Sequence, residues 1–166
     1  ITAITSSAEK IYDFFTYTLG MRLVKKTVNQ DDINTYHLFF ADDTGSPGTD
    51  MTFFDFPVIP KVVHGTNEIA RTSFRVPSDA ALDYWVKRFD RLKVEHSGIE
   101  EQFGKKVISF NDFDDQKYQL ISDENNEGVA SGTPWQDGPI PLEYAITGLG
   151  PIFVRIAPVD YFKEML

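Results

Sequence analysis

The sequence predicts an α+β fold built from tandem β-α-β-β-β units, on three observations. First, three stretches share one pattern, a short β-rich run, a break of small residues, then apolar positions at helical spacing. They are Ile1-Thr-Ala-Ile-Thr before Ile11, Phe14 and Phe15; Thr72-Ser-Phe-Arg-Val76 before Leu82 and Trp85; and Ile152-Phe-Val-Arg-Ile156 before Phe162, Met165 and Leu166. Second, each of the first two helical patterns is followed by three extended runs separated by turn formers. Third, 166 residues, 42% hydrophobic and 25% charged, suit one compact domain with a substantial core.

The elements follow in order. A strand over 1–5 leads to an N-cap at Ser6-Ser7 and a helix over 8–18, whose stripe is Ile11, Phe14, Phe15 and Leu19. Gly20 supplies the stop. Extended runs over 21–28, 35–41 and 50–57 are separated by Asn29-Gln-Asp-Asp-Ile-Asn and by Asp42-Asp-Thr-Gly-Ser-Pro-Gly. The second unit has a strand over 70–77, a helix from Ser78 to about residue 92, and strands near 95–102, 106–111 and 116–122, with Gly104 and Asp112-Phe-Asp-Asp115 marking turns. The predicted organisation is therefore a first unit over 1–57, a crossing loop over 58–69, a second unit over 70–124, a polar Gly/Pro-rich linker over 125–145 and the start of a third unit over 146–166. Within 35–40, strand alternation turns Tyr36, Leu38 and Phe40 toward the helix and leaves Thr35, His37 and Phe39 opposite, on the candidate cavity face.

Composition narrows the function classes. A formal charge of −9 argues against an extended nucleic-acid surface. No apolar run reaches the roughly 20 residues of a membrane helix. The absence of cysteine removes disulfide and zinc-thiolate chemistry and suits a reducing cytoplasm. A chain that opens in a strand without Met and closes in a helical pattern reads as part of a longer protein.

The run Leu19-Gly-Met-Arg-Leu-Val-Lys-Lys-Thr-Val-Asn29, then Thr35-Tyr-His-Leu-Phe-Phe40, Pro47-Gly-Thr and Thr52-Phe-Phe54 carry a closer likeness. With the tandem units, they resemble the vicinal oxygen chelate superfamily of glyoxalases, bleomycin-resistance proteins and extradiol dioxygenases. In particular, they resemble the N-terminal half of bacterial glyoxalase-family ring-cleaving dioxygenases. That resemblance implies a half-barrel with helices outside. It also implies a divalent metal, Fe(II), Mn(II), Zn(II) or Ni(II), holding two vicinal oxygens of a small substrate such as a catechol or hydroquinone.

The resemblance also assigns slots. The family's first metal-binding His falls just before Ile1, and the other ligands fall beyond Leu166, so no residue of this span is assigned as a metal ligand. In the second unit the His slot holds Arg71, which stays protonated and cannot ligate, and the Glu slot holds Gln119. The Glu slot of the first unit holds Thr52, and the third unit's His slot falls at Gly150 or Pro151. Pocket candidates are His37, Phe39, Thr52 and Phe54, with His37 read either as a pocket residue or as a satisfied half-buried histidine. His64, in a loop, and His96, past a helix end, read as solvated or capping.

Other constellations read as structure. Asp31-Asp32, Asp42-Asp43, and Asp112, Asp114 and Asp115 lie in predicted turns, where carboxylates cap backbone. Asp123-Glu-Asn-Asn-Glu127 lacks EF-hand spacing and reads as a solvated linker. No phosphate loop, nucleophile elbow or cysteine nucleophile occurs. Three functions stay open: part of a metal-dependent dioxygenase or glyoxalase-like enzyme, a non-catalytic binder of the bleomycin-resistance type, or structural units. The expected partners are a small aromatic or vicinal-oxygen substrate and either the protein's own C-terminal half or a second copy.

Overall fold

A computed structural model describes residues 1–126 and 128–157. Its elements are β1 (Thr2–Thr5), α1 (Ala8–Asp13) continued by a π-helical turn (Phe14–Thr18), β2 (Arg22–Val28), β3 (Tyr36–Ala41), β4 (Met51–Asp55), β5 (Glu68–Val76), α2 (Asp79–Leu92), β6 (His96–Gln102), β7 (Lys105–Asn111), β8 (Lys117–Ser122) and β9 (Gly148–Arg155). Among the described residues these form two open sheets, ordered β1-β4-β3-β2 and β6-β7-β8-β5-β9. β1 runs parallel to β4 and β5 parallel to β8, while the neighbouring pairs β2–β3, β3–β4, β6–β7 and β7–β8 are antiparallel. The fold is thus mixed α+β, with the β-α-β-β-β connectivity in each sheet.

Both helices start as their sequences dictate. Ser7 and Ser78 hold extended backbone, and their hydroxyls accept from Lys10 N at 3.3 Å and Ala81 N at 3.2 Å. Each helix also presents its first N–H to a carboxylate: Ala8 N donates to Asp55 at 3.1 Å, and Asp79 N donates to Glu124 at 2.9 Å. Ser6 takes no part in capping. It binds Asp114 through its backbone N–H and its hydroxyl.

The first helix departs from a uniform α-helix over 8–18. Thr16 Oγ1 donates to Tyr12 O at 2.7 Å, the carbonyl that Thr16 N would take in an α-helix, and Leu19 N reaches back to Phe14 O at 2.9 Å. A side-chain hydroxyl competing for the i−4 carbonyl widens the turn into a π-bulge.

One core joins the two units. Phe15 is fully buried, with its ring 5.0 Å from Phe40 and 4.9 Å from Phe53 in the first sheet, and 6.0 Å from Phe74 and 5.9 Å from Tyr118 in the second. From α2, the buried Arg88 donates to Thr18 O at 3.0 Å and also to Tyr17 O, closing the end of the π-turn.

The segment after β8, expected to be a polar linker, is exposed at 124–126 and 128–131, but Asp123 is not solvated, and a buried arginine anchors the segment as a strap. Arg75, buried in β5, binds Asp123 at 2.9 Å, Val129 O at 3.1 Å, Ala130 O at 3.0 Å and Leu149 O at 3.0 Å. A buried guanidinium needs that many acceptors, so it draws the strap in. Farther along, Thr133 N donates to the Asp42 carboxylate at 2.9 Å, Thr133 O accepts from Asp43 N at 2.8 Å, and Trp85 Nε1 donates to Tyr144 O at 2.8 Å. The described part of the predicted third unit is β9, which lies antiparallel on the outer edge of β5 and satisfies backbone groups that a bare edge would expose. The predicted helical positions Phe162, Met165 and Leu166 lie outside the described residues.

Candidate functional site

Strand alternation builds a polar and aromatic patch on the first sheet. Leu38 and Phe40 are buried on the helix side, whereas His37 and Phe39 point the other way. Tyr36, expected on the helix side, is 43% exposed and carries the Lys26 ammonium 3.9 Å above its ring. It begins its strand, and its hydroxyl-bearing ring meets solvent and a cation there instead of the core. Thr35 precedes the strand and binds Asp32 in the turn at 2.9 Å.

Register brings the four predicted pocket residues together. His37 lies opposite Phe54, Phe39 opposite Thr52, and Thr2 opposite Thr52. The His37 ring is stacked on Phe54 at 3.9 Å and tilted against Phe39 at 4.1 Å. Its Nε2 lies 3.1 Å from Thr52 Oγ1, and Thr52 Oγ1 donates to Thr2 Oγ1 at 3.0 Å. Lys25 reaches over Phe39, 5.3 Å from the ring centroid. Burial, reinforced by the Lys25 charge, pushes the His37 pKa below its usual value, so the ring is neutral at neutral pH.

Thr2 is also the corner at which this patch meets a cavity of about 450 Å³ between β1 and β5. Its wall includes Thr2, Ile4, His64, Glu68, Thr72 and Gln116, and none of His37, Phe39, Thr52 and Phe54 lines it; Thr2 alone links the patch to the cavity. His64, read from sequence as solvated or capping, does cap: its Nε2 donates to Asp115 O at 3.1 Å, while Nδ1 lies 3.7 Å from Glu68. That position in the cavity wall depends on a contact between the crossing loop and the β7–β8 turn. No local pattern in the sequence announces it.

The matching face of the second sheet is filled by its own side chains. Gln119 is fully buried, accepting from Ser73 Oγ at 3.3 Å and donating to Gln102 at 2.9 Å. Gly150 closes over this face, where a Cβ would stand 3.1 Å from both Ile121 and Ser73 side chains. Arg71 lies 5.4 Å over the Phe153 ring. An open aromatic patch is therefore a property of the first sheet.

The donor set does not fit a metal. Thr52 is engaged by His37 and Thr2, and both amide atoms of Gln119 are engaged. Among the described residues no group of three or more histidines and carboxylates is placed to hold an ion.

The turn carboxylates act as turns require. Asp42 accepts from Thr44 N and Ser46 N, Asp32 from Asn34 N, and Asp112 from Asp114 N and Gln116 N. Asp112 is also bound by the Tyr118 hydroxyl at 2.9 Å, yet burial dominates and pushes its pKa up to about 6. Asp114 reaches beyond its turn to Thr5 and Ser6. His96 lies 3.1 Å from Asp90 and accepts from Gly98 N.

Paired β-α-β-β-β connectivities with helices packed on one side and an open patch on the other define a recognisable class of protein. The chain belongs to the glyoxalase/bleomycin resistance protein/dioxygenase superfamily, whose model matches residues 1–121. It is 43% identical over 156 residues to the Bacillus subtilis protein named "Putative ring-cleaving dioxygenase MhqA", covering 94% of this chain and 49% of that protein. It is 34% identical over 152 residues to chlorohydroquinone/hydroquinone 1,2-dioxygenase of Sphingobium indicum, covering 89% and 46%. Its fold superposes with a TM-score of 0.89 on the crystal structure of a "putative dioxygenase" from Bacillus subtilis, at 32% identity over 99% of this chain and 51% of that one. The chain spans about half the length of the curated relatives it matches.

Proposed function

We propose that this chain is the N-terminal portion of a metal-dependent, extradiol-type ring-cleaving dioxygenase acting on a small aromatic diol such as a hydroquinone or catechol. The observation that carries the reading is the aromatic patch of His37, Phe39 and Phe54 on the open face of a chain 34% identical to a hydroquinone dioxygenase. These rings are already in contact with one another, so an aromatic ligand would lie against their outer edges and faces, where the Thr52–Thr2 hydroxyls beside them suit its oxygens.

In this reading His37, Phe39, Thr52 and Phe54 line the substrate pocket, and the ion, Fe(II), Mn(II), Zn(II) or Ni(II), takes its ligands from residues outside this span. The units over 1–57 and 70–124 serve as paired modules, joined by the 58–69 loop and followed by the 125–145 strap and a third unit from 146. The protein's own C-terminal half or a second copy completes the site, and the protein works in the cytoplasm. Among the described residues no helix is long and apolar enough to cross a membrane, which says nothing of a β-barrel.

The test is oxygen uptake by the full-length protein loaded in turn with each ion and supplied with hydroquinone or catechol. Consumption of one O₂ per ring opened supports the reading, and stoichiometric metal without uptake overturns it. The second reading is a glyoxalase-like lyase or isomerase, or a non-catalytic binder of the bleomycin-resistance type. The occupation of ligand slots by Thr52, Arg71 and Gln119 favours the binder.

A further inference from the structure

The hydrogen bonds around His37 have a direction. Thr52 Oγ1 donates its single proton to Thr2 Oγ1, so toward His37 it can only accept. The donor across the 3.1 Å contact is then His37 Nε2–H. Thr52 is buried and cannot readily turn to water for another partner. A neutral imidazole with its proton on Nε2 has a bare lone pair on Nδ1. Among the described residues, His37 makes this one side-chain hydrogen bond and lies against two phenyl rings, with Thr27 opposite it on β2, and Nδ1 makes no hydrogen bond. An acceptor in the ring plane is thus held still between two aromatic walls.

We propose that His37 is a binding residue whose Nδ1 accepts a hydrogen bond from a hydroxyl of the aromatic ligand, with Thr52 and Thr2 acting as positioning residues that fix its tautomer. The ligand class follows from the chemistry. It is an aromatic ring bearing a free hydroxyl, and an aryl ether of the same shape is rejected because it brings no proton to Nδ1. This rests on the reading that an aromatic diol binds the open face of the first sheet. It adds which atom recognises the diol and why that atom is available.

The test uses the full-length protein, labelled with ¹⁵N at histidine and loaded with diamagnetic Zn(II). Long-range ¹H–¹⁵N spectra of the ligand-free wild type are expected to place the His37 proton on Nε2. Thr52→Val is expected to release the lock and give a mixture of tautomers. Adding hydroquinone should shift Nδ1 in the sense of an accepted hydrogen bond, while 1,4-dimethoxybenzene should not. His37→Phe, which keeps the stack, should weaken hydroquinone binding about tenfold, the scale of one lost hydrogen bond. His37→Gln, which retains an amide donor and acceptor, should restore most of it.

A wild-type proton on Nδ1 overturns the inference whatever binds. Hydroquinone binding or turnover with Nδ1 unmoved overturns the inference and leaves the functional reading standing. Neither binding nor oxygen uptake overturns both.

Discussion

The Asp114 carboxylate lies 2.9 Å from the Thr5 hydroxyl, joining residues 109 positions apart. The same carboxylate takes the Ser6 backbone N–H at 2.9 Å and binds the Ser6 hydroxyl. The turn between β7 and β8 is therefore tied to the point where β1 becomes α1. Gln116 adds a hydrogen bond to Ile4 O at 2.9 Å. β1 carries Thr2, so this tie holds one wall of both the aromatic patch and the cavity.

Replacing Asp114 removes the acceptor shared by Thr5 and Ser6 and leaves the fully buried Thr5 hydroxyl only its longer contacts with Ser7, to O at 3.4 Å and from N at 3.3 Å. Asp114→Ala is expected to lower the unfolding free energy by about 2–3 kcal/mol, read as a shift in the urea midpoint. Asp114→Asn, which keeps one acceptor oxygen, should lose less. Equal stability of the alanine variant and the wild type would remove the tie from the account.

Asp112 gives the fold a pH dependence of known sign. Burial raises its folded pKa to about 6 from the ordinary 3.8, so the folded state binds more protons than the unfolded chain between those values. Its contribution to stability is fully present below the lower value and is lost as pH rises through the upper one. Denaturation of wild type and Asp112→Asn should show the wild type's relative stability falling between about pH 4 and pH 6 and level above that. A relative stability that rises over this interval contradicts a carboxyl buried at this cost.

Gly20 tests the strap. Its φ is +70°, and a Cβ there would stand 2.3 Å from Ile140 Cγ1 in the 125–145 segment. Left-handed backbone costs a non-glycine residue about 1–2 kcal/mol, and crowding a packed site costs about 1–3 kcal/mol. Gly20→Ala should therefore destabilise by at least about 2 kcal/mol, and Ile140→Ala in the same chain should recover part of that loss. A full-cost Gly20→Ala with no recovery would mean that the strap does not press on this turn.

The residues whose roles were legible are those governed by short-range rules. Ser7 and Ser78 announced the helix starts, alternation separated His37 and Phe39 from Leu38 and Phe40, and the turn aspartates sat where Asx turns need them. Gly20 marked the end of the first helix. The π-turn was not legible, because it hangs on which carbonyl the Thr16 hydroxyl selects.

Long-range partners were hidden as well. Arg75 read as one residue of a strand pattern, yet its guanidinium gathers four acceptors from the strap and the start of β9. β9 carried the signature of a unit's first strand, which says nothing of the neighbour it pairs with. His64 reached the cavity wall through a loop without periodicity. At the site, Phe39, Thr52 and Phe54 were legible as a face, whereas the Thr52–His37 hydrogen bond needed the register of β3 against β4.

The claim on which the account turns is that an aromatic ligand lies on the His37 face of the first sheet. The most direct measurement is a calorimetric titration of hydroquinone into full-length, Zn(II)-loaded wild type and Phe54→Leu, which keeps an apolar side chain on β4 but removes the ring stacked on His37. An aromatic contact is worth about 0.5–1.5 kcal/mol, so the account predicts binding up to about tenfold weaker in the variant with the unfolding midpoint little changed. Equal affinity for the two proteins would place the ligand elsewhere and contradict the account.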